Sequence, residues 1–386
     1  MKKMLLFGSL AVALFGCGED STKPPFDIAG LTAARTAVPA ADSVSASSPG
    51  ATGTAGQPLL GEQALYPMWT RPLVQGVNRT VGDMLRILNF VVALEPTRYN
   101  AEDKTWWWGP YPNEDGAGHI GAYIRDEGPD ADFRYAFAFV RGDGDGLTDP
   151  RVVMFGATNP DASTVGHGSG VMVWDFGASR AFDVARQAEP TGPTGRFAVL
   201  FNRSNDGEDE RRLVYAVFKN FGEADSDAEP VNLEYFYGNV RTDDHKLRFI
   251  NYRGEFDVYD GDNDPETQEP TQNERNDVRM VFLDEGMGRA QAIATGGDIN
   301  PEGGVSTLSV HECWDDRIRE TYLARAALDA DDNPIWGNEE GEPDDCGPVF
   351  KRELKELALP SLDDVDDKLR TALDELATNG AAAFAP

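Results

Sequence analysis

The 386 residues include 35 basic and 66 acidic side chains, a formal net charge of −31. A body this acidic repels phosphate backbones and anionic lipid surfaces, which excludes nucleic acid as a partner and leaves solubility, cation binding or a basic partner as uses of the charge. Residues 1–60 are balanced, so the whole deficit falls on residues 61–386, a length that holds one large or two ordinary domains.

The chain opens with Lys2 and Lys3, an apolar run from Leu5 to Phe15, and then Gly16-Cys17. The run is too short to span a bilayer as a mature helix and reads as an export signal over residues 1–16. A small residue followed directly by cysteine at the end of such a run looks like a bacterial lipobox. The resemblance implies cleavage before Cys17, a diacylglyceryl thioether on its sulfur and an acylated amine. Palmitate-like chains then tie the protein to a membrane. Gly18 stands where an aspartate retains a lipoprotein in the inner membrane, which implies the outer membrane, on either its periplasmic or its surface side. The alternative is an ordinary secretory signal with Cys17 near the cleavage site.

Residues 17–60 are rich in Ala, Ser, Thr, Gly and Pro and bury too little apolar surface to offset their ordering entropy; a disordered tether is expected. The folded body is expected to begin near Tyr66, with a helix capped by Asn78 or Thr80. Its apolar face is Val77, Val81, Met84, Leu85, Leu88, Val91 and Val92, and Pro96 ends it.

From about residue 105 to 312 the apolar period drops to two. Phe133, Tyr135, Phe137 and Phe139 alternate with smaller or polar residues. Further strands are expected at 152–155, 171–174, 197–201, 213–218, 233–237, 247–252, 278–283, 290–295 and 307–310, joined by Gly, Asn and Asp turns. No helical pattern separates them, so a parallel βαβ sheet is disfavoured. About ten strands in succession predict a mainly β fold: a large antiparallel meander closed as a barrel, left as a half-barrel or folded as a sandwich, over residues 61–350. Charged turns and outward faces argue against a membrane-spanning barrel.

Residues 315–328 read as a helix or one more strand, and 329–348 as an acidic loop. Pro360-Ser361, with Asp364 three residues on, opens a helix buried along Leu362, Val365, Leu369, Ala372, Leu373 and Leu376, so that residues 351–386 pack as a helical segment on the same domain. Cys313 and Cys346 are the cysteines left after Cys17, and in an oxidising compartment they are expected to pair, closing a loop of about 34 residues worth about 3–4 kcal/mol. The alternative is a metal site using His311, Cys313, Asp315 and Asp316, for which no second ligand pair at metal spacing exists.

Two acidic loops have the alternating carboxylates that wrap a calcium ion: Asp143, Asp145 and Asp149, and Asp260, Asp262 and Asp264. The first lacks a closing glutamate, and a solvated turn accounts for either one. Trp106, Trp107, Trp108 and Tyr111 can stack on a sugar or line a lipid cavity, or simply pack in the core. His167-Gly168-Ser169-Gly170 fails the nucleophile-elbow pattern at its first position, and no phosphate or dinucleotide loop is present. No catalytic residue is assigned.

Several short motifs occur together: Glu95-Pro96-Thr97, Trp108-Gly109-Pro110, Gly288-Arg289-Ala290, Gly296-Gly297-Asp298, and Glu312-Cys313-Trp314-Asp315 before Cys346. Over residues 77–350 this arrangement resembles a group of lipoproteins of the myxobacterial kind. The resemblance implies an outer-membrane address and a fold, not an activity. The expected function is a non-enzymatic, membrane-anchored structural or interaction module of the cell envelope, with a protein partner there. The alternatives are a carrier of a lipid or other hydrophobic ligand in a β half-barrel, and a carbohydrate-active enzyme.

Overall fold

A computed structural model describes residues 28–35, 39, 63–114, 116–161, 164, 167–190, 192–206, 209–222, 230–241, 245–256, 273–299, 303–351, 353–357 and 359–384. Among them fifteen strands form one antiparallel sheet in strict chain order. The first five are β1 (Arg98–Asn100), β2 (Thr105–Pro112), β3 (His119–Asp126), β4 (Tyr135–Asp143) and β5 (Thr148–Pro160). The middle five are β6 (Gly168–Asp175), β7 (Thr194–Asp206), β8 (Asp209–Gly222), β9 (Val231–Arg241) and β10 (Lys246–Phe256). The last five are β11 (Glu274–Leu283), β12 (Gly288–Thr295), β13 (Thr307–Trp314), β14 (Glu320–Leu328) and β15 (Pro334–Glu340). The predicted meander is therefore present, with more strands than expected. β1 and β15 remain as edges and do not pair, so the sheet is open and a closed barrel is ruled out. Of residues 315–328, the first five form a turn and Glu320–Leu328 form β14, and part of the expected acidic loop is β15, whose seven residues are all exposed.

One helix fills the inner face. Helix α2 (Leu65–Ala93) buries Val74, Val77, Val81, Leu85, Leu88, Val91 and Val92 in a cluster that takes side chains from β2 through β13, among them Trp106, Phe137, Met154, Phe197, Tyr235, Ile250 and Trp314. Strands from nearly the whole sheet meet a single helix of about 10 Å diameter, which means the sheet curls around it. The predicted alternation is observed from Tyr135 onward: Tyr135, Phe137 and Phe139 point to this helix, and Ala138 and Val140 to the opposite face, whereas Phe133 precedes β4 and packs with the outer cluster.

The helix starts earlier than Asn78 or Thr80. No local side chain caps it at Ala64; instead Glu312 on β13 accepts hydrogen bonds from the Leu65 and Tyr66 amides at 2.7 and 3.0 Å. A cap supplied from residues far along the chain leaves no trace in local sequence. At the other end Trp108 Nε1 donates to Leu94 O at 2.9 Å. The expected tether also needs correction. Residues Ile28–Arg35 form a short helix, α1, whose Leu31 is buried in the inner cluster. Its Arg35 donates to the carbonyls of Val92, Ala93 and Leu94 at 2.8, 3.3 and 2.8 Å, closing the C-terminal end of α2, where unpaired carbonyls favour a cation.

Helix α3 (Phe176–Ala185) joins β6 to β7 behind an Asp175 cap. The outer face of the sheet is covered by a strap that begins at Cys346 and runs through a one-turn helix, α4 (Gly347–Phe350), to α5 (Asp367–Asn379). The helix expected to open at Ser361 is split. Ser361 and Asp364 form the predicted capping box, but around a single 3-10 turn, and Asp366 caps a second start. Leu362, Val365 and Leu373 are buried against the sheet, whereas Leu369, 42% exposed, and Ala372 face solvent because the break turns that side of the helix outward.

Candidate functional site

The predicted disulfide is formed. Cys313 on β13 and Cys346 are joined with their Cα atoms 5.2 Å apart, which fastens the start of the strap to the outer face. From there polar contacts hold the strap along the sheet. Arg289 donates to Phe350 O, Asn251 to Pro360 O and the Tyr123 hydroxyl to Phe384 O. Arg253 and Arg279, on β10 and β11, both meet Asp363, and Arg370 on α5 makes a two-pronged contact with Glu234 on β9 at 2.5 and 2.6 Å. Asp363 is held below the usual carboxylate range, first by the hydrogen bond from Arg253. Between this strap and β10–β11 lies a groove of about 650 Å³, lined by Phe249, Val281, Leu354 and Leu359 and rimmed by Arg279 and Asp363.

The tryptophan run is divided by strand alternation. Trp106 and Trp108 are fully buried under α2, and Trp107 lies on the other face between Arg98 and the Tyr123 ring. Tyr111 packs at the margin of the inner cluster. Trp106 and Trp108 are thus core residues, not a stacking platform, because β2 sits under the helix rather than at a rim. Gly109, after them, has φ +87°, and a Cβ there would lie 2.7 Å from Ile120 O. That bend needs glycine.

The first acidic loop is occupied by a side chain of the protein. Arg186 donates from Nε and Nη2 to the two oxygens of Asp143 at 2.5 Å each, and its Nη2 lies 3.5 Å from Asp149. Arg186 itself stacks on Phe182 of α3. Asp145 is fully exposed, 3.5 Å from His119. The hydrogen bonds from Arg186 push the Asp143 carboxyl down. An arginine therefore takes the place of the expected calcium, and among the described residues no group of three His, Cys, Asp or Glu is arranged to hold a metal, His311 with Cys313, Asp315 and Asp316 included. Asp260, Asp262, Asp264 and the lipidation residue Cys17 lie outside the described residues.

Beside the loop is a buried ion pair that the sequence did not disclose. Arg141 on β4 and Asp183 on α3, 4% and 2% exposed, bond at 2.5 and 2.9 Å, and Asp183 also accepts from the Ala117 amide at 2.9 Å. Burial pushes the Asp183 carboxyl up, but the hydrogen bonds from Arg141 and Ala117 outweigh it and the net direction is down. A second buried polar centre is at the start of α2. Glu312 is hydrogen-bonded to Glu320, and burial raises its carboxyl to about 8 against the two backbone donors. Tyr66 and Tyr252, on facing elements, are also pushed up, mainly by burial.

The short motifs spaced along residues 95–315 have structural tasks. Glu312 caps α2, Cys313 pins the strap, Trp314 Nε1 donates to Gly286 O, and Arg289 holds Phe350. Gly288 makes room for Trp314, since a Cβ there would lie 2.4 Å from its ring. No protein-family model, curated protein or solved structure matches the chain.

The outward side of α2 is the feature that sequence reading missed. Met68, Trp69, Ile87 and Phe90 on the helix, with Leu94 just after it, are half of the exposed large apolar side chains among the described residues. Arg71, Arg79 and Arg86 lie exposed on the same helix. A helical wheel started at Leu65 would have found this stripe; one started at Asn78 omits Met68, Trp69 and Arg71.

Proposed function

We propose that the protein is a lipid-anchored, non-enzymatic interaction module of the outer membrane, tethered through Cys17 and presenting α2 as its working surface. The observation that carries this reading is the filled inner face. The half-barrel holds its own helix, packed from β2 to β13, and turns that helix's remaining apolar side chains outward. Apolar side chains clustered on one exposed helical face, alongside a complete core, are the usual mark of a docking surface. The disulfide accords with an exported protein, since such bonds persist in oxidising compartments. No helix among the described residues is long and apolar enough to cross a membrane.

Two measurements test this together. The intact mass of chain extracted from membranes should begin at Cys17 and exceed the polypeptide mass by a diacylglyceryl group and an acyl chain. Cys17→Ser should move the protein to the soluble fraction. Unmodified, soluble wild-type chain would end the anchoring proposal.

A carrier remains the second reading, relocated from the inner face to the outer groove. A space of about 650 Å³ with Phe249, Val281, Leu354 and Leu359 in its walls has the size and lining for part of a hydrophobic ligand. Native mass spectrometry that finds a lipid-sized adduct, lost on Val281→Arg, would favour it. The carbohydrate-active reading asks for two carboxyls in a cleft beside the tryptophans. The buried pair Glu312 and Glu320 lies instead at the opposite end of α2 from Trp108.

A further inference from the structure

The sheet ends in two edges, and only one of them is protected against pairing with another chain. β1 is three residues long and carries Arg98, whose guanidinium lies over the Trp107 ring. A short edge with a basic side chain is the usual defence of an open sheet. β15 is longer. Pro334 and a register shift guard its first residues, but from Trp336 to Glu340 it runs in unbroken register against β14. Every second residue of such a strand directs its N–H and C=O away from its neighbour, which makes the segment a template for one more strand. All seven residues of β15 are exposed, Ile335 at 49% and Trp336 at 56%. Its remaining defence is charge, and carboxylates repel only partners of like sign.

Charge selects the occupant. Residues 326–350 hold eight acidic and no basic side chains. The one basic side chain in the β14–β15 pairing is Arg325, opposite Asn338. None of the eight carboxyls makes an ion pair among the described residues. Two of them are held by neutral donors instead: the Tyr322 hydroxyl donates to Glu339 at 2.8 Å, and Asn338 Nδ2 donates to Glu340 at 3.1 Å. On the strap, by contrast, Asp363 meets Arg253 and Asp374 meets Lys219. A second copy pairing β15 with β15 would set two unpaired acidic clusters against each other, and like charges across a strand pair are destabilising. A basic strand meets the opposite condition. We propose that β15 is a β-augmentation site for an extended segment of a partner protein, in which lysines or arginines alternate with apolar residues that pack on Ile335 and Trp336. Main-chain hydrogen bonds hold the added strand, and the carboxylates select its sign of charge. The proposal rests neither on α2 nor on the anchor at Cys17.

The test matches a peptide to the seven residues of β15. The full chain is titrated with a rhodamine-labelled seven-residue peptide of alternating Lys and Val, followed by fluorescence anisotropy, and hydrogen exchange locates the bound peptide. Binding is expected, with exchange slowed over residues 334–340 and affinity falling as ionic strength rises. Trp336→Lys removes the apolar contact, and Asp331→Lys with Asp344→Lys halves the local charge at side chains that make no ion pair. Each variant should weaken binding about tenfold at an unchanged melting temperature. A Lys-Pro peptide of the same length keeps the charge but has too few amide donors for a ladder, and should also bind about tenfold more weakly. Equal binding of the Lys-Pro and Lys-Val peptides would reduce the contact to general electrostatics and overturn the proposal. So would no binding of the Lys-Val peptide, or slowed exchange confined to other strands. A dimer that protects residues 334–340 without peptide, and is dispersed by Trp336→Lys, would assign the edge to a second copy and overturn it as well.

Discussion

Glu312 and Glu320 share a hydrogen bond inside the protein, at the point where α2 begins. One carboxylate of the pair accepts two helix amides, yet burial keeps its proton bound up to about 8, far above the ordinary 4.5. The folded state therefore holds a proton that the unfolded chain releases above about pH 4.5. Its stabilising contribution is complete below that pH and is lost as pH rises through 8. Stability, and with it the melting temperature, should fall progressively between about pH 4.5 and about 8. The Leu65 and Tyr66 amides are accepted by different oxygens of Glu312, so Glu312→Gln keeps an acceptor for only one of them and should melt lower throughout. Without a titrating group, its melting temperature from pH 5 to 8.5 should be flat by comparison. Equal slopes in both proteins would place the proton elsewhere.

The Arg141–Asp183 pair joins β4 to α3 with almost no access to solvent. Asp183→Ala leaves a buried guanidinium without its partner and should cost about 3–5 kcal/mol in urea unfolding. Arg141→Met with Asp183→Leu removes both charges and should recover most of that loss. A double variant as unstable as the single one would show that shape, not charge, governs the contact.

Reducing the Cys313–Cys346 bond frees a loop whose ends are 33 residues apart in sequence, a loss of about 3–4 kcal/mol in the chain-entropy account. The effect should be local first. In hydrogen exchange, residues 347–384 should lose protection before α2 does, since the inner cluster does not involve the strap. Simultaneous loss of both would mean that strap and sheet unfold as one unit.

Arg186 stands between Asp143 and Asp149, so a chelator should leave the melting temperature of the wild type unchanged. Arg186→Gln releases both carboxylates, and calorimetric titration with calcium should then give a heat that the wild type does not. Calcium stabilising the wild type by several degrees would return the loop to the cation reading.

The ten strands expected from alternation all fall within β4–β13, because a strand that buries one face repeats every second residue whatever lies beyond it. β1–β3 and β15 escaped for different reasons, and β14 was one of two readings left open for residues 315–328. The Trp run on β2 is aromatic at successive positions and has no period, and β15 is exposed throughout and has no buried face to signal.

Local chemistry was thus readable along the chain: strand period, the turns between strands, the even cysteine pair and the Ser361–Asp364 box are each specified by neighbours within a few residues. Three features were not readable, and each depends on partners far apart in sequence. Glu312 starts α2 from 246 residues away, Arg186 fills the acidic loop from 43 residues away, and α1 is held by Leu31 in the inner cluster and by Arg35 on the carbonyls of Val92, Ala93 and Leu94. The open sheet belongs with them. Alternation is identical in a barrel, a sandwich and a half-barrel, because it records only that one face of each strand is buried; that this face is buried against one helix, with β1 and β15 left as edges, is decided by the tertiary packing.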